Sequence, residues 1–285
     1  MTNDKRPIGI FDSGIGGLTV LKEIIRVLPD EDTLYLGDTA RLPYGTKSEE
    51  TVIKYSIENT RFLLRHNIKL LVVACNTASA VSLPDLRKEF SLPLIGVIEA
   101  GARAASKATK NGKVGIIGTE TTIRSSAYTK AIKAINPGID TTGQPCPLFV
   151  SLVEEGWIDD EITLSIAERY LAPLKKVGID TLVLGCTHYP LLKKAIQRVM
   201  GDGVVLIDSA EETALEVKEM LAHLGLIAST TGNNTQAAVP VRRYFVTDVP
   251  LRFEDQGSRF LGEKILKVEK VELGSKNGEN RWQEK

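Results

Sequence analysis

Short apolar runs alternate with longer amphipathic stretches from the start of the chain. Residues 8–11, 34–37, 70–74 and 94–97 are apolar throughout and only a few residues long, the pattern of strands buried on both faces of a parallel sheet. Between them Leu18, Leu21, Ile25 and Leu28 share one helical face, as do Tyr55, Phe62 and Leu63. The same grammar resumes at 114–117, 181–184 and 204–207, and a helical stripe of Ala214, Val217, Leu221 and Leu224 follows. Strand–helix alternation of this kind predicts an α/β fold with mostly parallel sheets flanked by helices.

The pattern also repeats itself. IKLLVVACNT at 68–77 aligns with IDTLVLGCTH at 179–188, an offset of 111 residues that lays Cys75 on Cys186 and 94–98 on 205–209. Residues 8–13 resemble 114–119 at an offset of 106. Near-equal offsets predict two pseudo-symmetric α/β domains: 1–97 together with 209–285, and 98–208. A ligand site is expected in the cleft between them. The stretch ASTTGNNTQAAV at 228–239 reads as a surface loop, and the polar end from Ser275 is expected to fray.

Composition narrows the class. The 285 residues carry 36 basic and 36 acidic side chains, a balance that argues against a nucleic-acid partner. Hydrophobic residues at 42% and charged residues at 25% fit a soluble globular chain. No apolar run approaches the roughly 18 residues of a membrane span, and the start is too weakly apolar for a signal peptide. Three cysteines without dense spacing make no disulfide framework. The reading is a cytoplasmic protein with no membrane partner.

In open parallel sheets, ligands bind beyond the carboxyl ends of the strands. Four polar clusters stand there: Asp12-Ser13, Cys75-Asn76-Thr77, Thr119, and Cys186-Thr187-His188. Both paired cysteines end a strand and precede a helical pattern (79–90 and 191–200), so a helix dipole can favour either thiolate. Two such groups on opposite faces of one carbon can remove a proton from one side and return one from the other, which is racemisation or epimerisation. The bland reading, two small buried hydrophobes, leaves their duplication unexplained.

Other chemistries fit less well. Zinc on Cys75, Cys186 and His188 lacks the usual close cysteine pair, and a Cys186/His188 hydrolase dyad would be poorly disposed at i, i+2. The glycines of DSGIGG miss the dinucleotide pattern, because Thr19 stands where the third glycine belongs. They are better suited to a tight turn exposing N–H groups to a small anion, leaving Asp12 to hold an ammonium group, assist a proton transfer or merely cap the helix. No lysine in the four clusters offers a Schiff-base anchor for pyridoxal. Pro43-Tyr44-Gly45 is a turn that can cover the cleft. Glu154, Asp159 and Asp160 flank Gly156-Trp157 and read equally well as solvated. Cys146, in QPCP, reads as inert, and His66 and His223 as solvated or capping. A two-lobed ligand-binding module without catalysis is the alternative from another class.

The motifs FDSGIGG (11–17), LPYG (42–45), ACNTAS (74–79) and GCTHYPLL (185–192) resemble those of bacterial glutamate racemases, in the cofactor-independent aspartate/glutamate racemase superfamily. The resemblance runs in order and spacing from about Ile8 to Phe260. It implies interconversion of L- and D-glutamate with no cofactor and no metal, for peptidoglycan synthesis, by a homodimeric enzyme. It implies that Cys75 deprotonates D-glutamate and Cys186 L-glutamate, with Asp12 the helper of the first, His188 of the second, and Glu154 a further acidic helper. Ser13, Pro43, Tyr44, Gly45, Asn76, Thr77, Thr119 and Thr187 correspond to substrate-binding positions. Aspartate racemases usually carry glutamate where His188 stands, which favours glutamate here. Many activator-dependent relatives have a longer N-terminal extension than the seven residues before Ile8, so regulation of that kind is not expected.

Overall fold

The computed structural model describes residues 4–228 and 239–273. The loop expected over 228–239 and the tail from Ser275 fall, apart from Ala228 and Val239, outside the described residues.

The elements follow in the order β1 (Ile8–Asp12), α1 (Leu18–Val27), β2 (Thr33–Gly37), α2 (Glu49–Leu64), β3 (Leu70–Val73), α3 (Asn76–Glu89), β4 (Leu94–Gly96), α4 (Val97–Ala108), β5 (Lys113–Gly118), α5 (Glu120–Arg124), α6 (Ala127–Ile135), β6 (Asp140–Pro145), α7 (Leu148–Glu155), α8 (Glu161–Val177), β7 (Thr181–Gly185), α9 (Lys193–Met200), β8 (Val205–Asp208), α10 (Ser209–Leu224), β9 (Arg242–Val246), α11 (Pro250–Leu261) and β10 (Val268–Lys270). Short 3-10 turns occupy Tyr44–Thr46 and Tyr189–Leu192.

All pairings are parallel and form two sheets, ordered β10-β9-β2-β1-β3-β4 and β6-β5-β7-β8. The core order β2-β1-β3-β4 of the first sheet recurs as β6-β5-β7-β8 in the second, the structural form of the sequence repeat. After β8 the chain returns to the first sheet, where β9 pairs with β2 in the register Thr33↔Arg242 to Gly37↔Val246. The fold is α/β, with two parallel sheets flanked by helices.

Local chemistry sets the helix starts. Ser48, Asp160 and Asp208 cap α2, α8 and α10 by accepting from the N–H groups of Thr51, Thr163 and Ala210. Asp160 thus has a structural task, while Asp159 is exposed. In α1 the buried face holds Leu18, Leu21 and Ile24, with Ile25 only half-buried, a one-residue rotation from the predicted stripe. His66 is half-buried and stacked on Phe245 rather than solvated or capping.

The base of the first sheet carries a buried ion pair. Lys69, just before β3, is fully buried and sits 2.6 Å from Glu31. Its ammonium also donates to the carbonyl oxygens of Asp4 and Leu226 at 2.6 and 2.7 Å. The N–H of Ala228 donates to Glu31 Oε1 at 2.8 Å. One charge pair thereby ties four chain segments together: those of Asp4, Glu31, Lys69 and Leu226 with Ala228. Removing a single partner strands a charge in the interior, so Lys69→Met is expected to lower unfolding stability by about 3–5 kcal/mol. Adding Glu31→Leu is expected to recover part of that loss. Denaturant midpoints measure both, and a loss below about 1 kcal/mol for Lys69→Met would show that the pair is not the clamp described.

Candidate active site

Parallel pairing brings the carboxyl ends of β1 and β3 side by side, and likewise those of β5 and β7. At the first, Asp12 is fully buried and its Oδ2 accepts from the N–H of Gly14 at 2.9 Å, while Oδ1 has no hydrogen-bond partner. Burial raises the Asp12 carboxyl above the ordinary range, and the nearby His188 charge works against that rise. Cys75 is the N-cap of α3: its Sγ accepts from the N–H of Ala78 at 3.5 Å and its thiol donates to Ser13 Oγ at 3.7 Å. The helix start was expected to favour the thiolate. Instead burial, reinforced by the Asp12 charge, pushes Cys75 up to about 12, because one long N–H contact does not offset desolvation.

Cys186, directly after β7, has a different neighbourhood. It precedes the 3-10 turn rather than α9 itself, so no regular helix starts at it as predicted. Its companion is His188, whose Nδ1 lies 3.9 Å from Sγ and whose Nε2 lies 3.1 Å from Glu154 Oε1. Burial opposes a charged ring, but hydrogen bonds to Cys186 and Glu154 outweigh it and lift His188 to about 10. Phe260 places its ring edge-on to the imidazole at 5.2 Å. Cys146 is fully buried beyond β6, with its thiol on the Gln144 carbonyl at 3.5 Å.

Side chains that follow strands of the two sheets also meet one another. Thr77 Oγ1 is 2.9 Å from Thr119 Oγ1 and 3.3 Å from Thr122 Oγ1, and the latter two are 2.9 Å apart. Asn76 Nδ2 donates to the Tyr128 hydroxyl at 2.8 Å, leaving buried Oδ1 without a partner. Thr19 Oγ1 donates to the Thr187 carbonyl at 3.2 Å. Gly16 packs so tightly that a Cβ there would overlap Thr187 Oγ1 and approach His188 Nδ1 to 2.6 Å. Thr122 and Tyr128 were missed in the sequence, since neither follows a strand end directly.

The 43–45 turn also reaches this place, but not uniformly. Pro43 is exposed, whereas Tyr44 and Gly45 are buried. The Tyr44 hydroxyl donates to Asp38 and accepts from Asn59 Nδ2, so its phenol is committed to the fold. Glu154 is half-buried and faces His188, not Cys75.

Two equivalent strand ends, each with a buried thiol beside an ionisable side chain, belong to an α/β enzyme of the racemase type with two parallel sheets. The chain belongs to the Asp/Glu/Hydantoin racemase family, which it matches over residues 8–217. It is 57% identical over 268 residues to a glutamate racemase of Geobacter metallireducens, covering 94% of this chain and 97% of that one. It superposes on a crystal structure of a glutamate racemase isoform from Bacillus anthracis with a TM-score of 0.88 and 44% identity, covering 94% of this chain and 98% of that one. A Francisella tularensis glutamate racemase in complex with D-glutamate gives a TM-score of 0.87 at 38% identity, over 94% and 98% of the two chains. Among the described residues no helix is long and apolar enough to cross a membrane.

The His188 environment yields a pH prediction. With its ring lifted from 6.5 to about 10, His188 contributes stability that is fully present below pH 6.5 and lost as pH rises through 10. An NMR titration of the ring is expected to show an imidazolium still present at pH 8, with a lower midpoint in Glu154→Gln. A wild-type midpoint near 6.5 would refute the assigned hydrogen bonding.

Proposed function

We propose that this protein racemises glutamate by a two-base mechanism in which Cys75 and Cys186 act on opposite faces of the α-carbon. The observation that carries the reading is the pair of buried thiols at equivalent strand ends, one beside Asp12 and Ser13 and the other beside His188 and Glu154. Near-full-length likeness to glutamate racemases supplies the substrate.

From L-glutamate, Cys186 takes the α-proton and the Cys75 thiol delivers its own proton to the other face, giving D-glutamate. From D-glutamate, Cys75 takes the proton and Cys186 delivers one. Each turnover exchanges the protonation of the two sulfurs. Burial favours Cys75 as a thiol, the form that delivers a proton in the L-to-D direction. His188, backed by Glu154, supplies and recovers protons beside Cys186.

The α-ammonium seats on Asp12 Oδ1 and Asn76 Oδ1, two buried acceptors without a protein partner. Its positive charge offsets the Asp12 charge that raises Cys75, which makes proton transfer at that sulfur easier once substrate is bound. Ser13, Thr77, Thr119, Thr122 and Thr187 offer hydroxyls to the carboxylates. Tyr44 and Gly45 offer main-chain N–H groups, and Pro43 shapes their turn. These preorganised donors also stabilise the carbanion-like transition state.

The two halves, 1–97 with 209–285 and 98–208, act as domains that close on substrate. Neither a cofactor nor a metal is needed for this chemistry. The wider setting belongs to the same proposal: a cytoplasmic homodimer that supplies D-glutamate for peptidoglycan, and hence for cell-wall shape.

Purified protein in D2O with L-glutamate and a chelator tests the reading. α-Proton loss by NMR is expected alongside decay of optical rotation to zero. Cys75→Ser and Cys186→Ser are each expected to slow racemisation by at least about 100-fold, the usual scale of general acid–base catalysis. Absence of exchange with reduced thiols would sink the glutamate assignment. Near wild-type racemisation in either variant would sink the two-base mechanism.

A further inference from the structure

The loop from Asp38 to Lys47 is held from both sides, and the anchor on the second side has no part in the chemistry above. On the first side, fully buried Asp38 accepts from the Tyr44 hydroxyl, from Arg41 Nε at 2.7 Å and from Thr247 Oγ1 at 3.0 Å. On the second, Thr121 in α5 is fully buried, and its hydroxyl proton is shared between the carbonyl oxygens of Gly45 at 2.9 Å and Lys47 at 3.2 Å. Thr119 packs beneath the same turn so closely that a Cβ on Gly45 would lie 2.6 Å from Thr119 Cβ. The segment 119–122 therefore carries two of the hydroxyls that meet Thr77 and, between them in sequence, the hydroxyl that grips the turn.

We infer that Thr121 is a positioning residue that sets the Tyr44–Gly45 turn for substrate only when the second sheet's half is docked against the first. This rests on the proposed role of the Tyr44 and Gly45 N–H groups in holding a substrate carboxylate. Holding the Gly45 carbonyl fixes the peptide plane that follows the Gly45 N–H, since each peptide moves as a rigid plane, and holding the Lys47 carbonyl anchors the end of the same turn. Closure of the two halves and presentation of the carboxylate-binding turn become one event. The latch is a neutral hydrogen bond in a dry interface, strong enough to orient a short turn and weak enough to release with product.

Thr121→Val removes the donor at similar side-chain size, and Thr121→Ser restores it. Racemisation of both glutamate enantiomers is measured first in the wild type, whose failure would overturn the functional reading and this inference with it. Given an active wild type, Thr121→Val is expected to raise KM about tenfold for both enantiomers while kcat changes less than about threefold, and Thr121→Ser to stay within about twofold of wild type. An unchanged KM in Thr121→Val, or a defect of equal size in Thr121→Ser, would overturn the latch and leave the racemase reading standing. Hydrogen exchange on the wild type decides the matter if the valine variant does not fold. Saturating D-glutamate is expected to protect peptides spanning 38–48 and 119–125 together, and protection of the first without the second would overturn the proposal.

Discussion

Burial of two strand-end thiols, near enough for Cys186 to act electrostatically on Cys75, is the constraint on which the rest of the site depends. Cys75 is 5% exposed and Cys186 7%. Burial raises the Cys75 thiol, so what stands next to a buried sulfur decides the chemistry open to it. Those neighbours differ on the two sides. Cys75 has a helix-start N–H, the Ser13 hydroxyl and a carboxylate whose charge opposes ionisation until something positive covers it. Cys186 has an imidazole held in place by Glu154. The two sulfurs, equivalent by their places in the repeated sheets, are made inequivalent by their companions.

Dryness in turn demands close approach of the two sheets' loops, and small or hydroxyl-bearing residues provide it. Gly16 leaves room for Thr187 and His188, and Gly45 leaves room for Thr119. The Thr77–Thr119–Thr122 cluster and the Asn76–Tyr128 bond satisfy polar groups that would otherwise be buried unpaired across the junction. Such contacts are short-range and directional, so a small separation of the halves would break several at once.

The central strands were legible because strands buried on both faces must be apolar throughout, and the strand-end residues because α/β sheets place ligands there. Asp12, Cys75, Asn76, Thr77, Thr119, Cys186, Thr187 and His188 could all be picked out by that argument. The strand β6, DTTGQP, escaped it: an edge strand paired only to β5 is half-exposed and has no apolar run. β9 begins with two arginines, one lying over the Phe245 ring and paired with Glu269, and β10 is three residues long, so neither carries a strong periodic signal. Glu154 lies outside all four motifs and stood out only by its correspondence to the family, because a glutamate near the end of a helix looks solvated until its partner is known. Thr121, Thr122 and Tyr128 lie within helices of the second half, where nothing local marks a side chain that reaches across a junction. The expectation of an easily ionised Cys75 erred in physics rather than placement, since it counted the helix dipole without the burial.

In the proposed binding mode, Asp12 Oδ1 and Asn76 Oδ1, acceptors without a hydrogen-bond partner among the described residues, receive the α-ammonium with no arginine needed. A buried acceptor left without a donor costs about 1–3 kcal/mol, and the folded chain carries that cost at two atoms. In that mode an ammonium group reaches both at once and adds to the positive charge that His188 already places near the Asp12 carboxylate. Part of the binding energy therefore comes from ending an unfavourable state of the ligand-free protein rather than from adding new contacts. The same event lowers the electrostatic opposition to ionising Cys75, so recognition of the α-ammonium and activation of the adjacent sulfur are coupled through a single carboxylate. An analogue without the amino group would leave that opposition in place, which makes Asp12 as much a gate on the chemistry as a grip on the substrate.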